Sequence, residues 1–277
     1  VVTQEQRRRQ LAREKFLRQQ QRRTSARRKA RMRNAAIASV LGVILIGSVA
    51  LYTTGVVLGD DDDKTNAGAE VTPSASAPSK APDPCDKPAE GKVETQTWKK
   101  EPALTVDESA KYTMKLATTC GDMDIALKAK AAPHTVNSFD FLAGKGYFDH
   151  TKCHRLTTEG IYVLQCGDPT AQGNGGPGYN IPDENLKDKS LKDNVYPAGT
   201  VAMANTGQPD SGGSQFFLVY QDSQLPPSYT PFGTVSKEGM AVLKKIAAAG
   251  AQPADPTTGN TAPNATVVID KATVTKS

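Results

Sequence analysis

Twenty-six consecutive residues, Asn34 to Gly59, carry no charge, and they divide the chain into parts of opposite character. Ile37, Val40-Leu41, Val43 to Ile46 and Val56 to Leu58 run through the stretch without a polar face. As a helix it is long enough to cross the roughly 30 Å hydrocarbon core of a bilayer. Residues 1–33 hold thirteen Lys and Arg against Glu5 and Glu14, a net charge of +11, whereas the rest of the 277-residue chain is net −6. Arg27, Arg28, Lys29, Arg31 and Arg33 precede the uncharged stretch and Asp60 to Asp63 follow it. Lys and Arg stay on the cytoplasmic side of a membrane. The pattern therefore predicts a cytoplasmic arm (1–33), a single transmembrane helix (34–59) in the cell membrane, and all later residues outside. Ser48-Val49-Ala50 has the form of a signal-peptide cleavage site. A signal peptide, however, has a shorter basic region, and the apolar residues here continue to Leu58, so an uncleaved signal-anchor is expected. The basic arm reads as the charged flank of that anchor, with no nucleic-acid partner expected.

Residues 60–110 open with the acidic run and continue as Thr, Ala, Ser and Pro, a composition that cannot form a core and reads as a linker. From Cys85 to Ala110 irregular structure packed on the following domain is expected, with Trp98 as a packing residue. The folded domain is placed at 111–277, a length that sustains a core without a metal. Tyr112 to Thr118 and Met123 to Leu127 alternate apolar and polar around Cys120-Gly121-Asp122, which predicts a hairpin. Pro133 to Ala143 predicts a helix, with Pro133 at its start, Thr135 as a candidate cap and Val136, Phe139 and Leu142 on one face. Lys237 to Ala249 predicts a second helix, buried through Met240, Leu243 and Ile246. Thr266 to Thr275 alternates again and should complete the sheet. His134 and His150 are expected at the surface. The four cysteines allow three pairings. They lie beyond the membrane segment, where disulfides persist, and their spacings lack the close Cys-x-x-Cys pair of a zinc site, so no metal is expected.

The chemistry sits in a few short runs. Gly199 to Val219 holds two apolar runs, 201–204 and 216–219, around a Gly/Pro/Asp/Ser loop, and it sets the amides of Asn205 and Gln215 at the strand ends. Such amides both donate and accept hydrogen bonds, and with Phe217 beside them they suit an extended peptide held over an apolar pocket. Upstream lie Cys153-His154-Arg155-Leu156 and Tyr162-Val163-Leu164-Gln165-Cys166-Gly167-Asp168; downstream lies Leu225 to Gly233. Gly173 to Gly178 has the wrong glycine spacing for a dinucleotide loop and no helix after it, so no cofactor is expected.

These runs, in this order and close to this spacing, resemble the cyclophilin family of peptidyl-prolyl isomerases from about Tyr112 onward. The resemblance implies a mainly β fold, a closed antiparallel eight-stranded barrel capped by two α-helices. It also implies isomerisation of X-Pro bonds in proline-containing polypeptides, with Arg155 catalytic. Tyr162, Val163, Phe217 and Leu225 would form a proline pocket. Gln165, Asn205 and Gln215 would hold the peptide backbone, and Gln165 would also steady the arginine. Ala204 and Thr206 would line the adjoining groove, and Tyr229 would stand where many members have His. The family's strands place Cys153 beside Cys166, which implies a disulfide there and leaves Cys85 for Cys120. Several positions depart from the family. Two extra residues lie within Thr157 to Gly160. Gln224 stands where many members have a Trp that helps bind cyclosporin-like macrocycles, so the resemblance does not extend to that ligand. With the anchor, the whole reads as a bacterial, membrane-tethered isomerase for exported proteins. The alternative is a weakly active proline-peptide binding module on the same scaffold.

Overall fold

The computed structural model describes residues 82–277. The expected cytoplasmic arm (1–33), the expected transmembrane helix (34–59) and the linker through residue 81 lie outside the described residues. Among the described residues no helix is long and apolar enough to cross a membrane.

The domain is built on a hairpin. Strand β1 (Tyr112–Thr118) buries alternate residues, Met114 and Leu116 among them, and β2 (Gly121–Leu127) buries Met123, Ile125 and Leu127. Gly121 makes the turn between them at φ +126°, a conformation that side-chain-bearing residues rarely adopt. Helix α1 (Pro133–Gly144) follows, then the two-residue strands β3 (Thr151–Lys152) and β4 (Arg155–Leu156), and β5 (Val163–Cys166). A long loop leads to β6 (Val195–Tyr196), β7 (Thr200–Met203), β8 (Phe216–Val219), β9 (Ser223–Gln224) and β10 (Pro231–Val235). Helix α2 (Lys237–Ala248) and strand β11 (Val268–Lys276) complete the chain. The two helices and the hairpin fall where the hydrophobic periodicity places them.

Nine strands form one antiparallel sheet in the order β3-β11-β1-β2-β10-β7-β8-β5-β4, while β6 and β9 pair separately. The expectation of a mainly β domain with two helices is met. The ladder is an open order of nine short strands where a closed eight-stranded barrel is expected. Its edges, β3 and β4, are separated in the chain only by Cys153 and His154, so the sheet is curled and covalent continuity joins its two ends.

Helix α1 packs against β11 and α2 against β2. Phe139 of α1 meets Phe148, Phe216 and Phe232 with ring centroids 5.2, 5.4 and 4.6 Å away, joining helix, sheet and loop in one aromatic cluster. Ser236 caps α2 by accepting a hydrogen bond from Gly239 N at 3.0 Å. Thr135 does not cap α1, because it lies inside the helix. The distant Glu184 carboxylate accepts from His134 N, Thr135 N and Thr135 Oγ1 instead, satisfying donors that a helix start leaves open.

Residues 82–110 contain no helix or strand and run across the domain. Trp98 lies edge-on to Phe141 at 5.1 Å and donates its backbone N–H to Pro177 O. Asn137 Oδ1 accepts from Thr105 N and Val106 N, and Glu101 pairs with His134 at 2.8 Å. Disulfides Cys85–Cys120 and Cys153–Cys166 account for all four cysteines. The first anchors the 82–110 segment to the hairpin turn; the second joins the segment that carries β4 to the end of β5.

Candidate active site

Strand register assembles the site. Arg155 of β4 pairs with Gln165 of β5, Gln165 with Phe217 of β8, and Phe217 with Ala202 of β7. Side chains on directly paired residues share a face of the sheet, so these four form a row across four strands. The neighbouring row, Leu156, Leu164, Leu218 and Val201, faces the main core and is fully buried. The first row faces away from that core. There Ala202 and Phe217 join Val163, Tyr196, Val219 and Leu225 in a second, smaller apolar cluster.

That cluster leaves a hollow of about 140 Å³. Ile161, Val163, Phe217 and Leu225 give it apolar walls; Arg155 and Gln165 close one side, and Ala204, Asn205 and Tyr229 complete the lining. Phe217 and Tyr229 meet edge to face at 5.4 Å. Tyr196, fully buried, donates its hydroxyl to Tyr229 O at 2.8 Å and so fixes the loop that carries Tyr229. A second hollow of about 380 Å³ adjoins the first, shares Gln165, Ala204 and Asn205 with it, and extends over Thr206, Gln215 and the loop 173–180.

The sequence-predicted residues divide between these spaces. Arg155, Val163, Gln165, Ala204, Asn205, Phe217, Leu225 and Tyr229 line the smaller hollow, whereas Thr206 and Gln215 line only the larger. Tyr162 lines neither. Its ring lies against Tyr220 at 5.8 Å, its N–H donates to Ser223 Oγ, and its carbonyl accepts from Tyr220 N. Ile161 takes the wall position instead. The chain turns at Ile161 N–Glu159 O, and strand register begins only at Val163. The alternation between Ile161 and Val163 is the signal that could have found this wall residue.

Arg155 Nη1 donates to Gln165 Oε1 at 3.1 Å. Burial pushes its guanidinium below the ordinary value, yet arginine keeps its charge in proteins. The Asn205 side chain is already engaged, donating to Ser228 O in the loop between β9 and β10 at 2.7 Å and accepting from Gly207 N in its own loop at 3.0 Å. A ligand can therefore use the backbone groups of that segment. His154, adjacent in sequence, is turned inward and only 5% exposed, and burial holds its imidazole below the ordinary range. Both Cys153 and Cys166 are bonded, so neither thiol is free to act as a nucleophile. Among the described residues no group of three His, Cys, Asp or Glu side chains is placed to hold a metal ion. The arrangement offers a fixed cation at the lip of an apolar hollow, with neutral amides beside it.

A sequence profile for cyclophilin type peptidyl-prolyl cis-trans isomerase/CLD matches residues 113–274. The chain is 46% identical over 196 residues to a probable peptidyl-prolyl cis-trans isomerase B of Mycobacterium leprae, covering 67% of this chain and 61% of that protein. Identity to the Mycobacterium tuberculosis protein of the same description is 42% over 182 residues, covering 63% and 55%. The chain thus spans a little over half the length of these two relatives. A Helicobacter pylori peptidyl-prolyl cis-trans isomerase is 37% identical over 133 residues, 77% of its length. Among solved structures, a Cryptosporidium parvum cyclophilin type isomerase is 26% identical, with a TM-score of 0.47, covering 60% of this chain and 98% of that one. On the match over 113–274, the chain belongs to the cyclophilin type peptidyl-prolyl cis-trans isomerase family.

Proposed function

We propose that this protein catalyses cis-trans isomerisation of X-Pro peptide bonds. The observation that carries the reading is the Arg155 guanidinium, held by Gln165 at the lip of the 140 Å³ apolar hollow. Rotation about a peptide bond is opposed by resonance, with a barrier of about 18–20 kcal/mol. In the twisted state that resonance is lost and the prolyl nitrogen regains its lone pair. The apolar walls Ile161, Val163, Phe217 and Leu225 accept the pyrrolidine ring, and Arg155 donates toward the nitrogen. A donor preset where charge develops, in a site shielded from water, is typically worth about 2.7–4 kcal/mol. No bond is made or broken, so the reaction needs no nucleophile and no metal.

Gln165 orients Arg155, and the backbone of Ala204 to Thr206 with Gln215 receives the peptide flanking the proline. The curled sheet acts as a barrel joined at Cys153-His154, with the substrate groove on its outer wall. The uncharged stretch 34–59, its basic flank and the two disulfides support a tethered bacterial form whose clients are exported polypeptides. A proline-coupled proteolysis or NMR exchange assay with an Ala-Pro peptide tests the activity. Acceleration above the uncatalysed rate is expected. Tight peptide binding without acceleration would instead establish a proline-peptide binding module. Fractionation of cells expressing the full chain tests the tether: recovery with membranes is expected, and release as a soluble protein would remove that part.

A further inference from the structure

Asp168 lies two residues beyond β5 and is fully buried. Its carboxylate accepts four hydrogen bonds, all from neutral donors: Thr170 N at 2.7 Å, Thr170 Oγ1 at 2.8 Å, Gly173 N at 2.6 Å and Gly175 N at 3.1 Å. Burying a charge without a countercharge is expensive, so the placement calls for an explanation beyond packing. Burial works to raise its pKa, but the donors of Gly175, Thr170 and Gly173 outweigh it and keep the group ionised. The loop backbone comes so close to the carboxylate that a Cβ on Gly175 would overlap Asp168 Oδ1.

That loop is the far end of a one-way series of hydrogen bonds. Arg155 Nη1 donates to Gln165 Oε1 at 3.1 Å, Gln165 Nε2 to Gln215 Oε1 at 2.8 Å, and Gln215 Nε2 to Gly175 O at 2.9 Å. A guanidinium can only donate, so Gln165 must turn its oxygen to Arg155 and its NH₂ to Gln215. Gln215 is then forced to present its own oxygen and needs an acceptor for its NH₂. The Gly175 carbonyl is that acceptor. An amide flip at either glutamine breaks two bonds at once, and displacing Gly175 frees Gln215 to flip.

Resting on the isomerase reading, we propose that Asp168 is a positioning residue for Arg155, acting through Gly175, Gln215 and Gln165. It touches neither the hollow nor a peptide in it. Its loss therefore lowers turnover while peptide binding in the apolar hollow persists.

The test uses the full chain and the Ala-Pro peptide assay, at a temperature where each variant is folded by circular dichroism. Asp168→Asn replaces one oxygen with an NH₂ that must face either the Gly173 and Gly175 N–H groups or the Thr170 N–H, so at least one backbone donor of the loop loses its acceptor. Expected is a fall in kcat of about tenfold, the size of one hydrogen bond's worth of misplacement, with KM within about twofold. Gln215→Ala should show a similar fall in kcat, with KM raised as well because Gln215 also receives the peptide, and the kcat of the double variant should match that of the less active single because both break one series. Should Asp168→Asn fail to fold, Gly175→Ala displaces the same loop with the carboxylate retained, and its effect must likewise fail to multiply with that of Gln215→Ala. Wild-type kcat in folded Asp168→Asn, or effects that multiply in the double variant, would overturn the role. The isomerase reading fails separately, if the unaltered chain does not accelerate the reaction or if Arg155→Ala matches it.

Discussion

Two rows of residues, one position apart on the same four strands, have opposite lives. Leu156, Leu164, Leu218 and Val201 face the core and are fully buried among large apolar neighbours. Arg155, Gln165, Phe217 and Ala202 face the other way, over a small apolar cluster that leaves a hollow open. The same ladder positions both, so the rigidity of the inner row is lent to the outer one. Substitutions on the inner side should therefore register as lost stability. Those on the outer side should register as lost turnover in a protein that remains folded.

The largest departure is expected from Phe139→Ala. It removes a fully buried ring that meets three other aromatic residues, a change typically worth about 3–5 kcal/mol of stability. Urea unfolding should show the midpoint falling, with the activity of the remaining folded fraction unchanged.

Next comes the paired change Cys153→Ser with Cys166→Ser. That disulfide closes a sequence separation of 13 residues, for which chain entropy predicts a loss of about 3 kcal/mol. Because it joins the segment carrying Arg155 to the strand carrying Gln165, it should cost turnover as well as stability. The Cys85–Cys120 pair, with a separation of 35 residues, should cost slightly more stability, about 4 kcal/mol, and little turnover. Equal effects on turnover would erase the contrast.

The smallest effect concerns pH. His154 faces inward and burial lowers its pKa, so the unfolded chain takes up that proton first as the pH falls. The stability it contributes is present above the unfolded histidine value of about 6.5 and is lost as pH drops toward the folded value. Asp188 is also depressed: burial opposes the shift, but hydrogen bonds from Lys128, Ser190 and Asn185 outweigh it. Its share, with that of Asp168, disappears at lower pH, below the unfolded carboxylate value of about 3.9. Denaturation at a series of pH values should show two successive losses, and His154→Gln should remove the first. On the outer row Arg155 stays charged throughout, so turnover per folded molecule should stay level from pH 8 to 5.5.

Much of this was legible in the residues. Alternation located the β1–β2 hairpin and 3.6-residue periodicity located both helices, because each is a repeating pattern within a dozen or so consecutive residues. The family motif named eight of the nine residues that line the smaller hollow. It missed Ile161, because motif position alone does not track side-chain direction in the turn that precedes β5. The cap of α1 was also beyond reach: Glu184 comes from some fifty residues downstream, and nothing local to Thr135 announces it. Of the hydrogen-bond series from Asp168 to Arg155, the resemblance points only to the Gln165–Arg155 link; the rest was hidden for the same reason. Its members come from four separate stretches, and their bond directions follow only from three-dimensional placement.

The most direct measurement compares Arg155→Ala with the unaltered chain in the isomerisation assay, with peptide affinity determined in parallel by NMR titration. Removing the guanidinium should lower kcat by about two to three orders of magnitude, while peptide affinity and unfolding midpoint change little. Equal turnover in the two proteins would contradict the account, because the outer row would then hold a pocket without its catalyst.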